Sequence, residues 1–230
     1  MKNYILIGLL VVAAIFTMYS MRDSFTLAGP GQTVIQGSIV DGKSGVDSNV
    51  QLPASLNQDK GLTFAYSCWV RIDNFAYQPG KQKVIFTKGP ADLSLSCPAL
   101  LIDGNTNSFL VKLDTFGATE IVAIPNIPAK KWMHVVLVVD QKAMDIYING
   151  ILHTHHSIAQ LPRQNSGTVH TGVDSGFEGK LAGLTYYNYF LKPTDIPALM
   201  GTKPQNDSDL GPLPPYFDIG WWIGRSKTYE

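Results

Sequence analysis

Residues Gly37-Ser38-Ile39-Val40-Asp41-Gly42-Lys43-Ser44 satisfy the spacing G-x-x-x-x-G-K-S/T, in which backbone amides cradle phosphates while the lysine and hydroxyl meet phosphate and magnesium. That chemistry needs a helix directly after the loop, with its N-terminus facing the anion. Here the chain continues GVDSNVQLP, with Gly, Asp, Asn and Pro at strand-like spacing, so a phosphate site is not expected. Carboxylate chemistry meets a similar obstacle. Retaining glycoside hydrolysis uses two carboxyl groups about 5 Å apart, which a strand can present when acids recur at every second position. The only glutamates are Glu120, Glu178 and Glu230, and no run carries Asp or Glu at i, i+2 and i+4. No catalytic residue is assigned, and the chain reads as a non-enzyme.

Oxygen ligands are better represented. Asp103, Asn105 and Asn107 stand at D-x-N-x-N spacing, Asp114 follows, and Asp174 could add a ligand. Such residues suit calcium, a hard cation that takes several oxygen ligands. Ser108 occupies the sixth position, where a helix-loop-helix site needs Gly, and a plain turn uses the same residue types. Cofactors are therefore read as none, with calcium as the alternative. His153, His155 and His156 could form a soft-metal or pH-sensitive site, although a solvated edge strand accounts for them and no Cys or carboxylate lies nearby in sequence. His134 alternates with apolar neighbours and reads as a packed, hydrogen-bonded strand residue. Cys68 and Cys97 are the only cysteines, and the sequence leaves open one bridge or two reduced core thiols.

The elements that must position these residues are strands. Apolar residues recur at every second position in short runs bounded by Gly, Pro, Asn and Asp, which predicts strands and turns. The clearest unit is WMHVVLVVD from Trp132, a turn over Asp140-Gln141-Lys142-Ala143, and the strand MDIYI. Asn149-Gly150 then favours a tight hairpin because both turn positions need φ > 0, so ILHTHHS returns antiparallel. Further strands are predicted at Thr33–Ile39, Asn49–Leu52, Leu62–Ile72, Lys83–Lys88, Leu93–Ile102, Phe109–Leu113, Glu120–Ile124, Thr168–Val173 and Gly179–Tyr189. No helical crossovers separate them, so two packed antiparallel sheets are expected.

The ends of the chain differ from this body. Residues 3–21 carry no charge and would span roughly 28 Å as a helix, which predicts a single-pass membrane anchor in residues 1–24. Lys2 precedes the run and Arg22 is offset by Asp23, placing the body on the non-cytoplasmic side. A cleaved signal peptide is the rival, with Thr26-Leu27-Ala28 as its poor cleavage candidate. Residues 201–230 form a Pro-rich linker with a sequon at Asn206-Asp207-Ser208, then a cluster of Tyr216, Phe217, Trp221 and Trp222. Tyr and Trp are favoured in interface hot spots, so these four are the expected partner-binding residues, unless the tail folds back over its own domain. With 18 basic and 18 acidic residues and no charge runs, nucleic acid is not an expected partner.

GVDSNVQLP (Gly45 to Pro53), LTFAYSCWVRI (Leu62 to Ile72), the WMHVVLVVD…DIYINGIL hairpin and FEGKLAGLTYYNYFLKPTDIPALM (Phe177 to Met200) resemble, in this order, laminin-G-like domains of the concanavalin A-like lectin/glucanase superfamily. The resemblance implies an all-β, two-sheet antiparallel jelly-roll sandwich over residues 25–200, closing on a strand followed by one short helix. It also implies that Asp and Asn on rim loops could hold calcium. An N-terminal anchor before such a domain further resembles virion proteins of large DNA viruses with an internal membrane. The function expected is a membrane-anchored structural or adhesion protein, such as a minor capsid protein linking membrane to shell. The alternative is a lectin-like carbohydrate-binding module in which Tyr77, Phe116 or Tyr187 stacks on sugar rings.

Overall fold

The computed structural model describes residues 31–55 and 62–204. The anchor expected in residues 1–24 lies outside them, as does the aromatic tail. Among the described residues no helix is long and apolar enough to cross a membrane.

Two antiparallel sheets face each other. The first contains β1 (Gln32–Gln36), β2 (Val40–Asp41), β4 (Thr63–Asn74), β9 (Trp132–Asp140), β10 (Ala143–Ile148), β11 (Ile151–Ser157) and β13 (Glu178–Tyr187). Its order is β1-β13-β4-β9-β10-β11, with β2 also paired to β13. The second contains β3 (Val46–Ser48), β5 (Lys83–Lys88), β6 (Ala99–Ile102), β7 (Phe109–Leu113), β8 (Glu120–Ile124) and β12 (Val169–Thr171). Its order is β3-β12-β5-β6-β7-β8.

Alternation of side chains sorts each strand of the first sheet into an inner and an outer face. Met133, Val135, Leu137 and Val139 of β9 point inward and pack with Phe64, Ile72, Phe86, Leu100 and Phe109 in the inter-sheet core. Tyr66 joins the sheets, stacking on Phe86 with ring centroids 5.5 Å apart and meeting Tyr186 at 5.1 Å. The outward set is also buried. Ala65, Val136, Val138, Tyr147 and Tyr187 lie under Leu191, Ile196 and Leu199, the last two from the short helix α1 (Ile196–Leu199). Trp69, Trp132 and Ala182 form an adjoining cluster against Ile39 and Met200, and the Trp69 indole donates to Thr202 Oγ1 at 3.1 Å. The C-terminal strip therefore works as a third layer.

Local chemistry decides where the structure departs from expectation. The predicted run Thr33–Ile39 breaks at a register shift between Val34 and Gln36, and pairing resumes at β2. Asn49–Leu52 is not a strand, because Ser48 Oγ accepts from Val50 N and turns the chain, leaving Val46–Ser48 as the paired residues. Leu93–Cys97 is a loop, in which the Asp92 carboxylate accepts from Ser94 N and Leu93 adopts φ 60. Ala143 belongs to β10 and pairs Asp140, so only Gln141 and Lys142 make the turn. The Asn149-Gly150 turn has the predicted positive φ values, 51 and 80.

The cover layer makes a measurable contribution. Ile196 is fully buried, and Ile196→Ala is expected to destabilise the chain by about 2–4 kcal/mol, read as a lower urea midpoint at unchanged m-value.

Candidate functional site

A cleft of about 260 Å³ opens at the rim between the two sheets. Its floor is Phe64 and Tyr66 of β4, Cys97, and Tyr186 of β13; its walls are residues 51–54 and 164–167. Lys88, the last residue of β5, builds one wall by donating to the backbone oxygens of Asn165 (2.8 Å) and Gly167 (2.5 Å) and to Asn165 Oδ1 (3.2 Å). Asn165 answers by donating its amide to the carbonyls of Lys88 and Leu95. This close approach depends on Gly89, which has φ +126 and where an added Cβ would sit 2.1 Å from the Leu95 oxygen. The opposite wall is pinned by the Tyr186 hydroxyl donating to Pro53 O at 3.0 Å and by the Asn188 amide donating to Ala54 O at 3.1 Å.

The electrostatics are simple. Burial pushes the Cys97 thiol and the Tyr186 phenol up to about 12 and raises Tyr66 as well, so all three stay neutral near pH 7. The Lys88 pKa is drawn down by burial, and its ammonium is spent on the 165–167 wall. Among the described residues no carboxylate lines the cleft. The polar groups that face an incoming molecule are the exposed amides of Gln51 and Gln164 and the hydroxyl of Ser166, above an aromatic floor. Such a surface can hydrogen-bond a neutral polar ligand.

Sequence reasoning did not single out Gln51, Lys88, Gln164 or Asn165. A polar run Gln164-Asn165-Ser166-Gly167 reads as an ordinary loop until Lys88, 77 residues earlier than Asn165, is placed beside it.

The residues that sequence reasoning did select are dispersed. Gly37–Ser44 contains β2 and leads into β3, with no helix following; its Lys43 pairs with Glu178 at 3.5 Å and lies 4.6 Å from the Tyr77 ring centre. Asp103 serves its own loop, accepting at Oδ2 from the Thr106 hydroxyl (2.7 Å) and the amides of Asn105 and Thr106. The Thr106 hydroxyl holds the Asp103 carboxyl below its usual range. Asn105 is exposed in this loop, and the Asn107 carbonyl accepts from Ile127 N. Asp114 and Asp174 lie elsewhere, on Ser96 N and beside Lys81. The sequence reading that no carboxylate lies near the histidines is corrected: His155 meets Asp145 across the β10–β11 hairpin, and His156 meets Glu120 of β8, 36 residues earlier. Among the described residues no three His, Cys, Asp or Glu side chains converge as a metal site. Both cysteines are free and buried. Of the suggested stacking rings, Tyr187 is buried, Tyr77 is capped by Lys43, and Phe116 is 71% exposed. Tyr216, Phe217, Trp221 and Trp222 lie outside the described residues.

His134 is packed as predicted, 4.9 Å from the Trp69 ring, but its Nδ1 has no hydrogen-bond partner among the described residues. Its backbone amide is the bonded group, donating to Asn149 Oδ1.

An antiparallel two-sheet sandwich with a cleft at its rim is the architecture shared by lectins and glucanases of one class. The chain belongs to the concanavalin A-like lectin/glucanases superfamily, matching its laminin-G type over residues 43–197. Among solved structures it is similar to the botulinum neurotoxin serotype D binding domain (15% identity, TM-score 0.55, covering 74% of this chain and 41% of that one). The binding domain of botulinum neurotoxin DC in complex with SialylT is alike at 16% identity and TM-score 0.54, covering 74% and 46%. The serotype G binding domain gives 18% and 0.51, covering 71% and 46%. The chain thus spans less than half of each of these structures, and the likeness is one of fold. No curated protein matches the sequence.

Two outcomes follow from these environments. Lys88→Met leaves buried oxygens of the 165–167 wall unpaired and is expected to lower stability by about 2–3 kcal/mol, measured by urea unfolding. Burial lowers the His134 pKa from 6.5 to about 4. The unfolded chain therefore binds the extra proton first. Stability is full above pH 6.5 and falls between pH 6.5 and 4 by up to about 3 kcal/mol. A His134→Leu variant should show a flatter pH dependence of the unfolding free energy across that window; an unchanged slope would refute the assignment.

Proposed function

We propose that the chain is a non-catalytic, membrane-tethered binding module whose rim cleft takes a neutral polyhydroxyl ligand, a carbohydrate displayed on a glycan. The observation that carries this reading is the composition of the cleft: amide and hydroxyl groups over an aromatic floor, with no carboxylate among the described lining residues. Its volume of about 260 Å³ falls just below the ~300–1,000 Å³ of pockets for drug-sized ligands, which suits a group the size of one sugar ring. The complex of a similarly folded toxin binding domain with SialylT is consistent with that ligand class.

The non-catalytic part is supported by the fate of the acids. Each described carboxylate has a local partner: Asp47 has His170, Asp73 has Arg71, Asp114 has Ser96 N and Thr119, Asp140 has Thr63, and the others are held likewise. Asp92, Asp103 and Glu120 are pulled below their usual range by hydrogen bonds, whereas a glycosidase needs a carboxyl raised to act as acid.

The tether is supported by the uncharged run at residues 3–21. Asn188 links the two features, because its amide N donates to Gly31 O while its side chain holds Ala54 in the cleft wall. Residues 22–30 reach at most roughly 30 Å when extended, so a ligand would be met close to the bilayer. A structural role joining membrane to shell in a virion is the second reading, favoured by the aromatic cluster at Tyr216–Trp222.

The test is a glycan array probed with the full chain in nanodiscs, with and without calcium. We expect a glycan signal that survives chelation. Gln51→Ala and Gln164→Ala should each weaken it about tenfold, the value of one lost hydrogen bond of ~1.4 kcal/mol, at unchanged melting temperature. Silence across the array would sink the carbohydrate reading, and turnover of a bound glycan would sink the non-catalytic one.

A further inference from the structure

The third layer does not cover the whole outer face of the seven-stranded sheet. Where β13 meets β1 and β2, a groove of about 960 Å³ remains open. Its floor is made largely of small residues, Ser67, Ala182, Gly183 and Thr185, together with Tyr187, and its walls are β1 with residues 37–39 on one side and residues from Leu199 to Pro204 on the other. Elsewhere on this face a small residue lies beneath large ones: Ala65 is packed under Leu191 and Ile196. A floor of small side chains leaves volume that bulky side chains could fill at the density of a protein interior. Here that volume is unfilled by the described residues.

The chain itself leads into the groove. Pro204 lines it, and residues 205–215 can extend over about 36–40 Å, ample to bring Tyr216 back to any point along it. The segment that follows is YFDIGWWI, in which Phe217, Ile219, Trp221 and Ile223 fall on one side of an extended chain. A covalently attached segment meets its groove at high effective concentration, and so large an apolar cluster left uncovered would promote aggregation.

The geometry points to residues 216–223 as the occupant of this groove: an extended segment of the same chain laying Phe217, Ile219, Trp221 and Ile223 on the small-residue floor and completing the outer layer. The groove lies on the outer sheet face and the rim cleft between the sheets, so this assignment and the carbohydrate reading stand or fall separately. It competes directly with the virion-linking reading, which needs the same aromatics for a partner.

The experiment places the photo-crosslinking residue benzoylphenylalanine at Trp221, and separately at Phe217, in the full chain held in nanodiscs. Irradiated products are mapped by mass spectrometry. Cross-links within one chain to residues 32–39 or 182–187 are expected. Ser38 is exposed at the groove mouth, and Ser38→Trp should abolish those cross-links and open residues 205–230 to protease while leaving the melting temperature of the sandwich and any glycan signal in place. Cross-links to lipid, to a second copy or to another protein overturn the proposal. So does the absence of intrachain products, or their persistence in Ser38→Trp.

Discussion

The constraint on which the rest depends is the burial of β4 and β9 on both faces. From Phe64 to Val70 and from Trp132 to Val139 every residue is buried, although strand geometry sends alternate side chains to opposite sides. An antiparallel sandwich ordinarily solvates its outer faces. Here Trp69, Val136, Val138 and Tyr147 point away from the inter-sheet core and still need cover. The cost of leaving them in water, about 25 cal/mol per Å² of apolar surface, explains why the chain does not stop at β13 but crosses back with α1 and the residues around it. Trp69 and Thr202, 133 positions apart, close that layer with one hydrogen bond.

A body buried this thoroughly leaves polar chemistry to the rims and edges. Lys88 shows how a charge is accommodated there. Its ammonium is half-buried, so it must be bonded, and it takes three oxygens from one loop. The bonds that satisfy the cation also erect the wall of the cleft, and they leave it without free charge for a ligand. The polar side chains left at the cleft surface are Gln51, Gln164 and Ser166, groups that can both donate and accept hydrogen bonds.

Much of the sandwich was legible because its signals are local. Period-two alternation marks β10, the near-continuous apolar run WMHVVLVVD marks β9, and Asn149-Gly150 dictates the turn into β11 through two positive φ values. Errors arose where a side chain competes with the ladder for backbone groups, as Ser48 does at Val50 and Asp92 at Ser94. The cleft was not legible at all, since its walls come from segments near residues 51, 88 and 165 that only the pairing of β12 with β5 and β3 brings together. Asp103 shows the plain-turn chemistry that its D-x-N-x-N spacing also allowed, its carboxylate accepting from the amides of its own loop.

The histidines become intelligible once the edges are drawn. β11 ends one sheet, while β8 and β3 end the other, and open edges invite pairing with foreign strands. His156 of β11 reaches Glu120 of β8, so the last strands of the two sheets are joined by a side-chain bond at 3.1 Å. His155 meets Asp145 within the β10–β11 hairpin, and at the other edge His170 of β12 meets Asp47 of β3. Each of these three imidazoles is matched with one carboxylate, and His153 with the Thr154 hydroxyl, which is the arrangement of paired polar groups on edge strands and not of ligands gathered about one cation. Glu120 feels the bond as a carboxyl drawn below its usual range, chiefly by His156. What looked in sequence like a histidine cluster is a set of separate edge contacts, because a strand spaces its neighbours onto different partners.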